Sequence, residues 1–168
     1  MTQAIRDDDP VIFFENKAQY DESGHVPDDA YTIPFGEANI TREGDDVTIV
    51  AIGRMVNLAN QVADELAKQG KKATVIDPRT TSPLDIDSIL ESVEETGRLV
   101  VVDEASPRCG MAADISAQVC EHAFKSLKAP IKTVTPPHTP VPFAPELEDA
   151  YIPSAPKIRA AVDEVLAA

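Results

Sequence analysis

The chain has 168 residues, with 29 acidic against 15 basic side chains and a formal net charge of −14. That length suits one domain of roughly 100–150 residues plus a tail, and argues against a second full domain. Hydrophobic residues at 43%, charged at 26% and aromatic at 5% fit an ordinary soluble globular protein rather than a disordered or fibrous one. The excess acid argues against nucleic acid and against an anionic membrane as partners, since both require clustered Lys and Arg; a basic protein is the more natural partner.

The first quarter carries most of the charge. Through Asp46 there are twelve acids and three bases, a net of −9, and the remainder adds −5. The first thirty residues have no apolar run longer than Val11 to Phe14, too short for a signal-peptide core or a membrane span, so the chain is expected to be cytoplasmic. Cys109 and Cys120 form no CxxC pair and are too few for a disulfide scaffold, which suits free thiols in a reducing compartment. Ser23-Gly24, Val26-Pro27-Asp28-Asp29 and Ile33-Pro34 are turn formers, and only Val11-Ile12-Phe13-Phe14 looks like a strand. Residues 1–46 are therefore read as an acidic extended arm and residues 47–168 as the domain.

From Val47 onward strands and helices alternate. Val47 to Ile52 is β-branched and almost continuously apolar, the pattern of a parallel strand covered on both faces, and Gly53 ends it. Met55, Ala59, Val62 and Leu66 then recur at helical spacing up to Gly70. Ala73 to Ile76 is a second strand ending at Asp77; Asp85 is placed to cap a helix that buries Ile86, Ile89, Leu90 and Val93 and stops at Gly97. Leu99 to Val102 is a third strand, Met111 to Leu127 a third helix with Ile115 and Val119 inward, and Ile131 to Val134 a fourth strand. A last helix starts near Ser154 and turns Ile158, Val162 and Val165 inward. This alternation predicts an α/β fold, a three-layer α/β/α sandwich around a mostly parallel sheet with right-handed crossovers. Seven of the fourteen prolines fall between Pro136 and Pro156, so Thr135 to Pro145 is read as a stiff, extended strap, either a rigid connection or a surface set against another chain.

Catalytic constellations are sparse. There is no glycine-rich phosphate loop: Ile52-Gly53-Arg54-Met55 offers one glycine where such a loop needs several close amides. His25, His122 and His138 show no metal-ligand spacing, and Cys109, just before a helix, has no adjacent histidine. Asp77, Asp103 and Glu104 close strands at the carboxyl edge, where open α/β sheets bind ligands, and are the positional candidates for a site; loop and helix capping is the simpler role for them.

The segment Asp77-Pro78-Arg79-Thr80-Thr81-Ser82-Pro83-Leu84-Asp85 resembles the D-x-R-(x)3-P-L-D signature of the transketolase C-terminal domain, carried by Asp77, Arg79, Pro83, Leu84 and Asp85. Val11 to Lys17, Tyr31 to Ala38, Asp46 to Val50, Glu91 to Val102 and Thr139-Pro140-Val141-Pro142-Phe143 extend the likeness over the whole chain, to the beta subunit of the thiamine-diphosphate-dependent dehydrogenase component of 2-oxo acid dehydrogenase complexes. Asp103-Glu104-Ala105-Ser106-Pro107-Arg108-Cys109-Gly110 and His138 before Thr139-Pro140 resemble the acetoin dehydrogenase branch.

The resemblance implies a mixed sheet of about five strands, one of them an antiparallel edge. It also implies that this chain matches the second half of a longer subunit, beginning at the last strand of a pyrimidine-binding domain. Thiamine diphosphate and magnesium would be held by that domain and by the alpha subunit, with none bound to this chain. The implied partners are the alpha subunit, a second beta subunit and the basic subunit-binding domain of a lipoyl acyltransferase; charge complementarity makes Glu146, Glu148 and Asp149, the acids after the proline strap, the candidate docking residues for that basic domain. The chain alone is expected to be inactive, serving assembly and docking. The competing reading is a free-standing α/β module that binds a small anion at its strand ends.

Overall fold

The computed structural model describes residues 1–168. Its organising element is strand β2 (Val47–Ala51), in which all five residues are buried. Alternation along β2 sends Val47, Ile49 and Ala51 to one face and Thr48 and Val50 to the other. Helix α2 (Met55–Ala67) follows and leads to β3 (Ala73–Asp77), parallel to β2; α3 (Ile86–Thr96) then crosses back to β4 (Leu99–Val102), parallel to β2 on its other side. Helix α4 (Met111–His122) leads to β5 (Lys132–Val134), parallel to β4. The sheet order is β1-β3-β2-β4-β5, with β1 (Asn39–Arg42) antiparallel to β3 at the edge.

Two cores sandwich this sheet. One packs Val47, Ile49, Val75, Val100 and Val102 against Met55, Ala59, Val62 and Leu66 of α2 and Ile158, Val162 and Val165 of α6 (Ala155–Ala167). The other packs Val50, Ile76, Leu99 and Val101 against Ile89 and Val93 of α3 and Ile115 and Val119 of α4. This is the expected three-layer sandwich with a mostly parallel five-stranded sheet. No helix is long and apolar enough to cross a membrane.

Four details depart from the sequence reading. The edge strand β1 comes from residues 39–42, inside the segment read as arm, so the part of the arm that precedes the sheet is residues 1–38. It is fastened by side chains as well as by its ladder: Thr41 Oγ1 donates to Asn60 Oδ1 at 2.9 Å, and Arg42 pairs with Asp64 at 3.0 Å, both on α2. Val11 to Phe14 forms no strand and pairs with no strand of this sheet; Ile12 and Phe14 are 79% and 89% exposed. The third helix ends at His122, where Ala123 leaves helical geometry (φ −121), and a short 3-10 turn at Phe124–Ser126 completes it. Pro145 opens a helix instead of ending an extended strap: α5 (Pro145–Tyr151) starts on it, its fixed φ and missing N–H being tolerated at a first helical position. The arm also carries the short helix α1 (Thr2–Arg6).

Local chemistry explains the sharp boundaries. Gly97 ends α3 in the left-handed region (φ 73), as the sequence suggests. Gly44 allows the β1–β2 turn to lie against β3, because a Cβ there would come within 2.5 Å of the Lys72 carbonyl carbon. Within the second core, Thr48 Oγ1 sits 2.7 Å from Ser92 Oγ and 2.8 Å from Thr96 Oγ1, binding the central strand to α3 through three buried hydroxyls. Thr48→Val keeps the shape and removes the shared partner, so it is expected to lower stability by about 1–3 kcal/mol. A fall in the urea midpoint with unchanged slope is the expected reading, and an unmoved midpoint contradicts it.

Candidate functional site

Ligands of open α/β sheets bind beyond the carboxyl ends of strands, at the point where successive crossovers turn to opposite faces. Here α2 leaves β2 on one face, and α4 leaves β4 on the other, so that point lies between β2 and β4. It is occupied by an ion pair. Arg54, at the start of α2, places Nε 3.1 Å from Glu104 Oε1, and Asn16 of the arm donates to Glu104 Oε2 at 3.3 Å. Burial raises the Glu104 carboxyl above its ordinary value; Arg54 opposes the rise, the Asp103 charge adds to it, Asn16 opposes it, and Glu148 of α5 adds to it. Asp103 itself is only 5% exposed and accepts the Ala105 amide at 3.1 Å, which makes it a loop cap. Of the two strand-end candidates on β4, Glu104 is the one that joins the arm, α2 and the β4 loop.

The signature segment forms the neighbouring loop. Asp77 accepts the Arg79 amide at 3.0 Å, and Arg79 takes a left-handed φ of 58 that turns the chain out of the strand. Burial raises the Asp77 carboxyl, against the opposing effects of the Arg79 amide and the Arg79 charge. Thr80 Oγ1 accepts the Gly36 amide at 3.0 Å and donates to the Pro83 carbonyl at 2.8 Å. Leu84 packs on the second core. Asp85 caps α3 as expected, accepting from the Ser88 amide at 3.1 Å and the Ser88 hydroxyl at 2.8 Å, and it also accepts the Ala38 amide at 2.8 Å. Burial works against ionisation of Asp85, but the Ala38 and Ser88 amides and the Ser88 hydroxyl outweigh it and lower its carboxyl below the ordinary value. The signature thus joins the segment entering β1 to the helix after β3.

The third group of candidates lies on α5, with Glu148 close enough for its charge to act on Glu104. Glu146, Glu148 and Asp149 stand exposed on α5, beyond a strap that presents Val141 and a wholly exposed Phe143. Tyr151 Oη donates to the Thr139 carbonyl at 3.0 Å, and Ser106 Oγ lies 2.9 Å from His138 Nδ1, so the strap is tied both to α5 and to the β4 loop. Cys109 and Cys120 are free and exposed. No three His, Cys, Asp or Glu side chains are grouped to hold a metal ion. Sequence reading missed Asn16 and the role of Arg54; the cation directly after a strand-ending glycine was the available signal for the latter.

Comparison with known proteins places this arrangement. A family model described as transketolase, C-terminal domain, matches residues 36–158. The chain belongs to that family. The family match begins at Gly36, the residue hydrogen-bonded to Thr80 of the signature. Among curated proteins the chain is 62% identical over 166 residues to the acetoin:2,6-dichlorophenolindophenol oxidoreductase subunit beta of Cupriavidus necator, covering 99% of this chain and 49% of that protein. It is 53% identical to the subunit of the same name from Bacillus subtilis (97% and 48% covered) and 44% identical to the pyruvate dehydrogenase E1 component subunit beta of that organism (92% and 47%). The chain spans about half the length of the curated relatives it matches. A solved structure titled split gene transketolase, inactive beta4 tetramer, aligns with a TM-score of 0.72 at 29% identity, over 85% of this chain and 45% of that one. The transketolase C-terminal fold, including the antiparallel edge that the resemblance implied, is therefore established.

The carboxylates of this domain titrate in opposite senses. Glu104 and Asp77 bind a proton more readily in the folded than in the unfolded chain, so their contribution is full below the unfolded value and is lost as pH rises through the folded one. Asp85 contributes above its unfolded value and loses that contribution as pH falls through its lower folded one. Glu104→Gln is expected to flatten the decline in urea midpoint as pH rises above the ordinary glutamate range, and an unchanged profile contradicts the assignment. Asp85→Ala is expected to cost at least about 1–2 kcal/mol at neutral pH through the lost cap, read as a lower melting temperature.

Proposed function

We propose that this chain is the C-terminal half of the beta subunit of a thiamine-diphosphate-dependent dehydrogenase of the acetoin type, and that it serves assembly and docking while the chemistry occurs elsewhere in the complex. The observation that carries this reading is the match of 99% of the chain, at 62% identity, to half of a subunit named for acetoin oxidation. Pyruvate dehydrogenase beta subunits match at lower identity, which supports acetoin over pyruvate. In such an enzyme thiamine diphosphate supplies the carbanion-stabilising chemistry, and the acyl group passes to lipoamide. The donor set of this chain does not fit that cofactor with magnesium. The Arg54 charge at the switch point is engaged by Glu104, and no carboxylate cluster is grouped for a metal. The same pair disfavours a free-standing anion-binding module at that point, which needs an unengaged cation there.

In this reading residues 1–38 bridge to the preceding part of the subunit, with Val11 to Phe14 joining a sheet outside this chain. Their exposure and strand-forming composition support that role. A second beta subunit and the alpha subunit are the other partners; the inactive beta4 tetramer named for the aligned structure supports association of beta chains without alpha. Free thiols and the absence of a membrane-spanning helix suit a cytoplasmic complex. Glu146, Glu148 and Asp149 meet the basic subunit-binding domain of the lipoyl acyltransferase, with Val141 and Phe143 as the adjoining apolar contact.

Two measurements test this. Glu148→Lys combined with Asp149→Lys is expected to weaken calorimetric binding of the acyltransferase's subunit-binding domain by at least about tenfold, most strongly at low salt. Unchanged affinity removes these acids from the interface. Thiamine diphosphate with magnesium is expected to leave the melting temperature of this chain unchanged, and a clear rise would overturn the assembly reading.

A further inference from the structure

A second cleft, distinct from the Arg54–Glu104 pair, opens beyond the carboxyl ends of β2 and β3 with a volume of about 440 Å³. That volume falls within the usual range for small-molecule sites. Its lining has two parts. Phe13, Ile33 and Phe35 of the arm and Val56 of α2 contribute an apolar wall, and Asp77 and Arg79 are the charged residues of the lining.

The Arg79 charge acts on Asp77, yet neither group is closed into an ion pair. The Arg79 guanidinium makes no ion pair or hydrogen bond within the chain, the four ion pairs all involving other residues. Asp77 accepts only the Arg79 backbone amide, through one of its two oxygens. Because Asp77 is half-buried, its carboxylate has given up part of its hydration without a side-chain donor in return. Arg79 holds a left-handed backbone (φ 58), a conformation that residues with a Cβ rarely adopt.

We propose that this cleft binds a small zwitterion with an apolar body, a hydrophobic α-amino acid, with Arg79 taking its carboxylate, Asp77 its ammonium, and the wall covering its side chain. Charge balance selects this class. A diphosphate or other multivalent anion would meet the Asp77 charge beside Arg79, and a neutral hydrocarbon would cover both charged groups without pairing either. A zwitterion satisfies the two together and leaves its side chain to the aromatic and aliphatic wall. Because that wall comes partly from the arm, the ligand bridges arm and domain. The arm is otherwise tied near this cleft by Asn57 Nδ2, which donates to both Glu22 oxygens at 2.9 and 2.8 Å.

Calorimetric titration of the full 168-residue chain with L-phenylalanine tests the assignment, alongside 3-phenylpropanoate, which lacks the ammonium, and phenethylamine, which lacks the carboxylate. Saturable binding of L-phenylalanine in about the millimolar range or tighter is expected, with each analogue weaker by at least about tenfold. Arg79→Gln is expected to weaken L-phenylalanine to a similar degree. Phe13→Ala, a change on an exposed part of the arm that leaves the sheet and both cores intact, is expected to weaken it as well. Absence of saturable binding, equal binding of either analogue, or unchanged affinity in both variants would overturn the proposal. None of these outcomes bears on acyltransferase docking, which uses the acids of α5.

Discussion

Complete burial of β2 on both faces is the constraint from which the rest of the molecule follows. A strand with no solvent face must be covered by helices on either side, and parallel neighbours require crossovers that supply those helices. Val47, Ile49 and Ala51 engage α2 and α6, and Val50 engages α3 and α4. Thr48 is the exception on this strand, and its hydroxyl is matched by Ser92 and Thr96 of the covering helix, so polarity in the core fixes where α3 sits. The crossovers diverge around β2, and their divergence creates the carboxyl-edge crevice in which Arg54 and Glu104 meet.

That edge gathers acids from several elements. Asp77, Asp103 and Glu104 end their strands there, and Glu148 reaches it electrostatically from α5. Partial burial of like charges is unfavourable, and each is managed differently: Asp103 by a backbone amide, Glu104 by Arg54 and Asn16, Asp77 by the Arg79 amide and the Arg79 charge without an ion pair. The incompletely answered member, Asp77, is the one that lines an open cleft. Strand-end acids in this domain therefore range from structural cap to half-buried lining of a cleft, and local partners decide which is which.

The parts of the fold most legible in the sequence were those governed by local pattern. The apolar runs at Val47, Ala73 and Leu99, the helical stripes of α2 and α3, the Asp85 cap and the Gly97 stop all appear where local chemistry puts them. Edge strand β1 was not legible, because Asn39 to Arg42 is polar and β-forming only in the company of β3 and α2. Helix α5 was hidden by its proline, which reads as extended chain unless the following Glu-Leu-Glu-Asp run is taken as a first turn rich in acid. At the candidate site the strand-end positions of Asp77 and Glu104 were legible, whereas the Glu104 partners Asn16 and Arg54 come from 88 residues and two crossovers away and follow only from the tertiary structure.

The arm shows how the energy of a connection can be graded along its length. Near the domain it is held firmly: the Gly36 amide by Thr80, the Ala38 amide by Asp85, and then the β1 ladder. Further out, the side-chain ties to the domain are those of Asn16 and Glu22, neutral-to-charged hydrogen bonds worth about 1.5–3 kcal/mol each at most and less where exposed. Ordering the backbone costs about 1–2 kcal/mol per residue, so these bonds alone do not offset the entropy of fixing the segment from Val11 to Pro34. Ile12 and Phe14, which could add apolar burial, face solvent. The outer arm consequently needs a further contact to be held as firmly as the sheet, and its apolar, β-branched composition specifies one that buries side chains and pairs backbone.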